Sequence, residues 1–426
     1  MSRDPETDVP GDTPLLGALP ETLRAELIAF RRDVHMHPEL GFQEFRTTAA
    51  IKTRLEAAGL SPRVLPGGTG LTCDIGSWDG VRPMLAIRAD IDALPIPDTK
   101  TDVPYRSTVP DRAHACGHDV HTTVVLGAGL VLADLARQGL LPGAVRLIFQ
   151  PAEEVMPGGA ITAIDAGVLD GVGRIVAVHC DPRVDVGRIG LRTGPITSAC
   201  DRLEVTLDGP GGHTARPHLT TDMVTAAARV AVDAPAVLSR RIDTRSGLVL
   251  TWGRIEAGHA PNVIPQRAEL GGTVRCLDLE AWRHAPDQVY AAIDEVATLY
   301  GAKCQIEYVR GVPPVVNDAS VAQLLHDAMA ARCGVYAIED TEQSLGGEDF
   351  SWYMEHVPGA MARLGVRRPG DTSRLDLHRG NFDIDEEAIR VGVELFTAAA
   401  LLDADGAQEP PATPRPATEG RPAPRP

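Results

Sequence analysis

The chain has 426 residues, a formal net charge of −17 at pH 7 and a hydrophobic fraction of 43%. That length exceeds what one hydrophobic core usually serves, so two domains are expected, with ample apolar content to bury. The acidic balance excludes nucleic acid or an anionic membrane as the main partner, because both are held by basic surface. Seven cysteines, at positions 73, 116, 180, 200, 276, 304 and 333, are scattered without a CxxC pair. This argues against a disulfide framework or zinc ribbon and fits a reducing, cytoplasmic location.

The N-terminal stretch MSRDPETDVPGDTP lacks the apolar core of a signal peptide. It and the Pro-rich C-terminus are too polar to order themselves, so residues 1–14 and 406–426 are expected to be disordered tails. ETLRAELIAFRRDVHMHP carries apolar residues at helical spacing and stops at Pro38. FRTTAAIKTRLEAAGL is a second amphipathic helix, closed near Gly59. MLAIRAD, AVRLIFQ and RIVAVH read as buried strands that end in polar residues, and VVLGAGLVLADLA between the first two reads as a buried helix too short to span a bilayer. Strands alternating with helices predict an α/β domain with a mostly parallel central sheet.

Near residue 195 the pattern changes. RLEVTLDGPGG, GLVLTWGRIEAG and AELGGTVRCLD alternate apolar and polar residues, as half-buried antiparallel strands do. MVTAAARVAVDAPAVLSRRI and AWRHAPDQVYAAIDEVATLYG supply helices beside them. The expected organisation is a catalytic-type domain, 15–194 and 311–405, interrupted by a smaller α+β domain, 195–310.

Four segments place metal-type ligands at predicted strand ends or in adjoining loops: HACGHDVH from His114, FQPAEEVMPGGA with Glu153 and Glu154, the strand-end His179, and His378 in DLHRGNFDID. In open α/β sheets, sites form outside the carboxyl ends of the strands, which gives the shared location a topological reason. Taken singly, each has a plainer reading. A lone strand-end histidine is more often structural, and a Glu-Glu pair is usually solvated surface. The carboxylate pair stands out because Pro151 and Gly158-Gly159 hold it in a constrained turn, and adjacent carboxylates can take different tasks.

With these residues in view, the chain resembles the M20-family amidohydrolases, in the subgroup of N-acyl-amino-acid amidohydrolases, hippurate hydrolases and indole-acetyl-amino-acid hydrolases. The matching segments are RRDVHMHPELGFQE, LAIRADIDALPI, HACGHDVH, FQPAEEVMPGGA, GPGGHTARP, APNVIPQRAELGGTVR, LGGEDFSWY and LHRGNFDIDEEAI, in order from about residue 20 to 400. The resemblance implies a zinc-exopeptidase-like catalytic domain with an inserted lid and dimerisation domain. It implies Cys116, His118, Glu154, His179 and His378 as ligands of two divalent cations (zinc, manganese, cobalt or nickel). A thiolate at position 116 is a soft anionic ligand able to bridge two cations. Glu153 matches the general base that takes a proton from the attacking water and passes it to the leaving amine.

In the inserted domain, the resemblance aligns His213 with a residue that reaches a neighbouring subunit's site and stabilises the oxyanion. Asn262 and Arg275 align with residues that hold the substrate's carbonyl or carboxylate; for Arg275 a surface ion pair is an equal alternative. Asp90 reads either as a residue orienting a ligand histidine or as a turn residue after a strand. Glu348 and Asp349 either support the metal site or cap the following helix. His35 and His37 read as structural, His121 as lying on the helix behind the site, and His114 and His218 receive no role. Pro210, Cys180 and Arg379 depart from the family pattern without removing a ligand or the base. The implied function is cleavage of N-acyl amino acids to a carboxylate and a free amino acid by a homodimer, with no nucleic-acid or membrane partner. The alternative is a dipeptidase or aminopeptidase of the same fold.

Overall fold

A computed structural model describes residues 18–373 and 376–406; the tails expected to be disordered fall outside them, apart from residue 406. Two helices come first, α1 (Glu21–Met36) and α2 (Phe45–Ala57), followed by strands β1 (Arg63–Val64), β2 (Leu71–Ile75) and β3 (Met84–Asp90). Next are α3 (His118–Arg137), β4 (Val145–Gln150), β5 (Val172–Asp185) and β6 (Ile189–Leu191). The chain then leaves this sheet to form β7 (Ala199–Asp208), α4 (Met223–Arg241), β8 (Val249–Ala257), β9 (Arg267–Cys276), α5 (Leu279–Leu299) and β10 (Lys303–Val312). It returns through α6 (Ala319–Cys333), β11 (Ile338–Asp340), β12 (Gly359–Arg367) and α7 (Glu387–Gly406).

The eight-stranded sheet has the order β1-β2-β4-β3-β5-β12-β6-β11. Its centre, β4-β3-β5-β12, is parallel throughout, while β2 joins β4 and β6 joins β12 in antiparallel sense. β3 and β4 are buried at every position, which explains why they read as unbroken apolar runs. One face packs against the helices through residues such as Ile87, Val124, Leu147, Val178 and Phe396. The other carries Ala86, Ile148, Ala177 and Met361, which pack with Phe350 and Tyr353 under the short helices Ala160–Asp165 and Ser351–Met354. Burying each such large side chain contributes about 1.5–3 kcal/mol.

The second sheet, β8-β9-β7-β10, is antiparallel and has its own core. Leu203, Val205 and Leu207 alternate inward from β7 to meet Val230 and Ala234 of α4 and Val289 and Ile293 of α5. β10 is a strand that the sequence reading did not single out, although Cys304, Ile306 and Tyr308 alternate toward this core. Two further differences concern lengths. β5 does not end at His179 but continues to Asp185, paired with β12 as far as Arg367. α3 extends well before Val124, so by length and composition it could cross a membrane, but 78% of that apolar window is buried inside the fold. It is the core helix of this domain.

Candidate metal centre

Side chains on one face of a strand repeat every second residue, and here each central strand changes from apolar to polar at the same end. On the face covered by the two short helices, Ile148 gives way to Gln150, Ala86 to Arg88 and Asp90, Ala177 to His179, and Met361 to Arg363. Asp90 pairs with Gln150 and Arg363 with His179. Arg88 pairs with Ala177, so Asp90 and His179, each two residues further on, stand level. The result is a polar row that starts at the carboxyl ends of β3 and β4 and continues across the middle of β5 and β12, above an apolar layer.

The HACGHDVH turn enters beside this row. Gly117, the residue before α3, has φ 87°, a left-handed conformation that a glycine adopts without strain. A Cβ there would also meet the Cys180 sulfur at 2.7 Å. This tight entry places Cys116 and His118 on either side of the helix start. Cys116 Sγ lies 3.4 Å from His179 Nε2. The other nitrogen of His179, Nδ1, is 2.9 Å from the Cys180 carbonyl oxygen, so it donates there and leaves Nε2 with a free lone pair. Burial first, then the charges of His121 and Arg363, hold His179 well below the ordinary histidine pKa. It is a neutral ligand-type ring.

His118 has the same hydrogen-bond pattern but the opposite shift: burial lowers its pKa, and the Asp90 and Cys116 charges outweigh burial and hold it well above the ordinary histidine value. Its Nδ1 meets the Asp92 carbonyl at 3.0 Å and the Asp92 carboxylate at 3.2 Å, while Nε2 is buried without a partner. Around Nε2 stand Asp90, Glu153 and Glu154 at 3.7, 3.8 and 3.9 Å. Glu154 Oε1, likewise buried and without a hydrogen-bond partner, faces His378 Nε2 at 3.4 Å. His378 reaches this position from a backbone at φ 61°, its amide donating to Ala115 at 2.8 Å.

Cys116, His118 and His179 thus share one set of close donor atoms, and Cys116, Glu154 and His378 share another. Cys116 belongs to both. The donor set fits divalent cations on its own chemistry: orphaned buried nitrogen and oxygen atoms converge with a thiol between them. Burial, and next the Glu154 charge, push the Cys116 thiol well above its ordinary range, a balance that coordination reverses by deprotonating the sulfur.

Glu153 stands to one side, grouped both with His118 and Glu154 and with Glu348 and Asp349. Burial, followed by the charges of Glu348, Glu154 and Asp349, raises its carboxyl well above the usual range. Asp349 is pushed up to about 7, chiefly by burial. Its oxygens accept from Arg88 Nη2 at 2.7 Å, Gln150 Nε2 at 2.7 Å and the Ala160 amide at 3.0 Å. Glu348 accepts the Phe350 amide at 2.9 Å. Of the two readings that the sequence left open, the structure carries the supporting one: Asp349 braces the polar row, while Glu348 binds the Phe350 amide and the helix Ser351–Met354 has no side-chain cap.

Three residues singled out in the sequence lie elsewhere in this chain. His213 and Asn262 are exposed on the two-stranded ribbon of Gly212–His213 with Val263–Ile264, where the Thr214 amide donates to the Asn262 carbonyl at 3.3 Å. Among the described residues, neither contacts the metal-type cluster. Arg275 on β9 donates to the Leu345 carbonyl and so ties the second sheet to the loop before Glu348. Asp90 is fully buried and accepts from His121 Nδ1 at 2.6 Å and Arg88 Nη1 at 2.7 Å. It therefore orients His121, and Asp92 orients His118. His121 Nε2 in turn accepts the Cys180 amide at 2.8 Å.

Asp92 was missed by sequence reading, although it lies two residues after Asp90 in RADIDALP and also receives the Glu154 amide at 3.0 Å. Glu44 was missed as well. Its carboxylate accepts the Ala152 amide at 2.8 Å, bracing the turn that carries Glu153, where Ala152 has φ 57°.

Comparison with known proteins gives this arrangement a family. The model of Peptidase family M20/M25/M40 matches residues 86–402. The chain is 39% identical over 387 residues to N-acetyl-L-cysteine deacetylase of Bacillus subtilis, covering 90% of each chain. It is 47% identical over 378 residues, 89% of its length, to a Rhodococcus jostii protein named putative glutamate–cysteine ligase 2-3. Of that longer protein the chain spans 47%. Among solved structures, the Bacillus subtilis YxeP protein, described as a dinuclear metal binding peptidase of the M20 family, superposes with a TM-score of 0.79 at 36% identity. That match covers 91% of this chain and 99% of the other. The fold and site define a metal-dependent hydrolase of amide bonds. The chain belongs to the M20/M25/M40 peptidase family.

Proposed function

We propose that the chain cleaves N-acyl amino acids to a carboxylate and a free amino acid, with two divalent cations held by Cys116, His118, Glu154, His179 and His378. The observation that carries this reading is the position of Glu153: next to the donor cluster, with its side chain 9% exposed, and 3.8 Å from the open nitrogen of His118. When bound, the cations supply Lewis-acid chemistry, polarising the scissile carbonyl and lowering the pKa of water. The chain's residues do the rest. Glu153 accepts the proton of the attacking water and returns it to the leaving nitrogen. Asp92 keeps the His118 lone pair directed into the cleft, and the Cys180 carbonyl does the same for His179.

The N-acyl-amino-acid class is supported by the name of the Bacillus subtilis deacetylase relative. Exposed His213 and Asn262 fit a role in a second subunit's site, so we infer a homodimer formed through the inserted domain of residues 195–310. The seven cysteines, all free, fit a reducing cytoplasm. A panel of N-acetyl and N-benzoyl amino acids beside dipeptides, assayed after chelation and again after zinc, manganese, cobalt or nickel is returned, tests this reading. Metal-restored turnover of the N-acyl amino acids is expected. Turnover of dipeptides alone would assign the rival peptidase activity.

A further inference from the structure

Arg363 is 5% exposed, and its Nε and Nη2 have no hydrogen-bond partner. Other arginines of comparable burial are matched: Arg31 meets Asp119, and Arg88 meets Asp90, each at 2.7 Å. A charge is taken out of water at high cost unless a counter-charge accompanies it. Among the described residues, no carboxylate lies within ion-pair distance of Arg363. Asp181 is already taken on both oxygens by Arg183, at 3.0 and 2.7 Å. Glu348 is engaged through Oε1, by the Phe350 amide at 2.9 Å and by Arg88 Nη2 at 3.2 Å; its buried Oε2 has no hydrogen-bond partner, Arg363 included. Burial, the largest influence, draws Arg363 below the ordinary arginine pKa; Asp181, Glu348 and Cys116 attract its charge, and Arg183 repels it.

Its place in the sheet is as informative as its isolation. Arg363 on β12 stands directly opposite His179 on β5, in parallel register and on the same face. Adjacent strands are about 4.8 Å apart, so the guanidinium belongs to the wall of the metal-type cluster. An N-acyl amino acid carries its carboxylate one carbon from the scissile nitrogen. A group that recognises it must therefore stand close to the reacting bond. A guanidinium offers paired N–H donors matched to the two carboxylate oxygens. Arg275, the candidate suggested by resemblance, already donates to the Leu345 carbonyl.

We propose that Arg363 receives the carboxylate of the amino-acid half of the substrate and so selects N-acyl amino acids over neutral amides. This rests on the substrate reading given above. The test measures hydrolysis of an N-acetyl amino acid, its carboxamide counterpart and an N-succinyl amine, whose carboxylate lies on the acyl side. The enzymes are the metal-loaded wild type, Arg363→Met and Arg363→Lys. In Arg363→Met, KM for the acid rises about tenfold or more. The carboxamide changes less than about threefold, metal content is unaltered, and Arg363→Lys recovers part of the loss. Equal losses on acid and carboxamide, a loss confined to the N-succinyl amine, or a fall in bound metal would each overturn the assignment. Calorimetric titration of the free amino acid and its carboxamide reads the same discrimination without turnover. If the wild type hydrolysed none of the substrates, the proposed function would fall, and the titration would still decide the role of Arg363.

Discussion

His118 and His121 lie one helical turn apart on α3, yet only His118 keeps a nitrogen open to the cleft. Both rings donate through Nδ1 to an aspartate region, Asp92 for one and Asp90 for the other. The difference is at Nε2, which in His121 is occupied by the Cys180 amide. Tautomer and hydrogen-bond partner, more than residue type, decide which histidine is available as a ligand. His114 gives the contrasting case of a ring buried with neither nitrogen bonded. Burial, the main cause, lowers its pKa from 6.5 to about 3. The unfolded chain takes up this proton near pH 6.5, whereas the folded chain resists until about 3. The stability that the neutral ring contributes is therefore present above pH 6.5 and lost as the pH falls toward 3. Between pH 7 and pH 5 the loss amounts to about 2 kcal/mol. Urea unfolding at the two pH values should show His114→Leu losing less stability than the wild type; an identical loss would remove His114 from the account.

The elements that deliver the proposed ligands are themselves pinned by buried ion pairs. Arg31 of α1 donates to Asp119 of α3 at 2.7 Å, and His35 reaches the same carboxylate oxygen at 2.7 Å. This fixes the first turn of α3, and with it His118. Asp119→Ala leaves the Arg31 charge buried, with longer carboxylate contacts to Asp383 and Glu386 at 3.4 and 3.5 Å and the Tyr105 ring 4.8 Å away. Truncating one partner of such a pair costs about 3–5 kcal/mol; a urea midpoint unchanged in this variant would show that the contact is dispensable. The elements were largely legible in the sequence. The central strands announce themselves as apolar runs, the second sheet by alternation, and the Glu153–Glu154 turn by its flanking proline and glycines. What could not be read was where β5 stops, because Asp181 and Arg183 look like loop residues until they pair with each other along a strand. β10 escaped notice for a related reason: its polar residues face outward from a sheet that exists only once β7 is beside it.

At the scale of the whole molecule, the candidate site gathers residues from remote parts of the chain. Arg88 meets Asp349, 261 positions away, and Glu154 faces His378. Motif resemblance brought the ligand-type residues forward, but it could not show Arg363 unpaired beside His179, because that depends on sheet register and on the engagements of Asp181 and Glu348. Nor could it show that Asp92 holds both His118 and the Glu154 amide, since the contacts arise only when the loop after β3 meets the start of α3 and the turn after β4. The central claim is a division of labour between two neighbouring carboxylates: Glu154 holds metal while Glu153 moves the proton. Its most direct test is the turnover of an N-acyl amino acid by metal-loaded Glu153→Gln, with bound metal counted on the same sample. The account predicts a loss of at least about a hundredfold in kcat with metal content equal to that of the wild type. Turnover near the wild-type rate, or a variant emptied of metal, would contradict it.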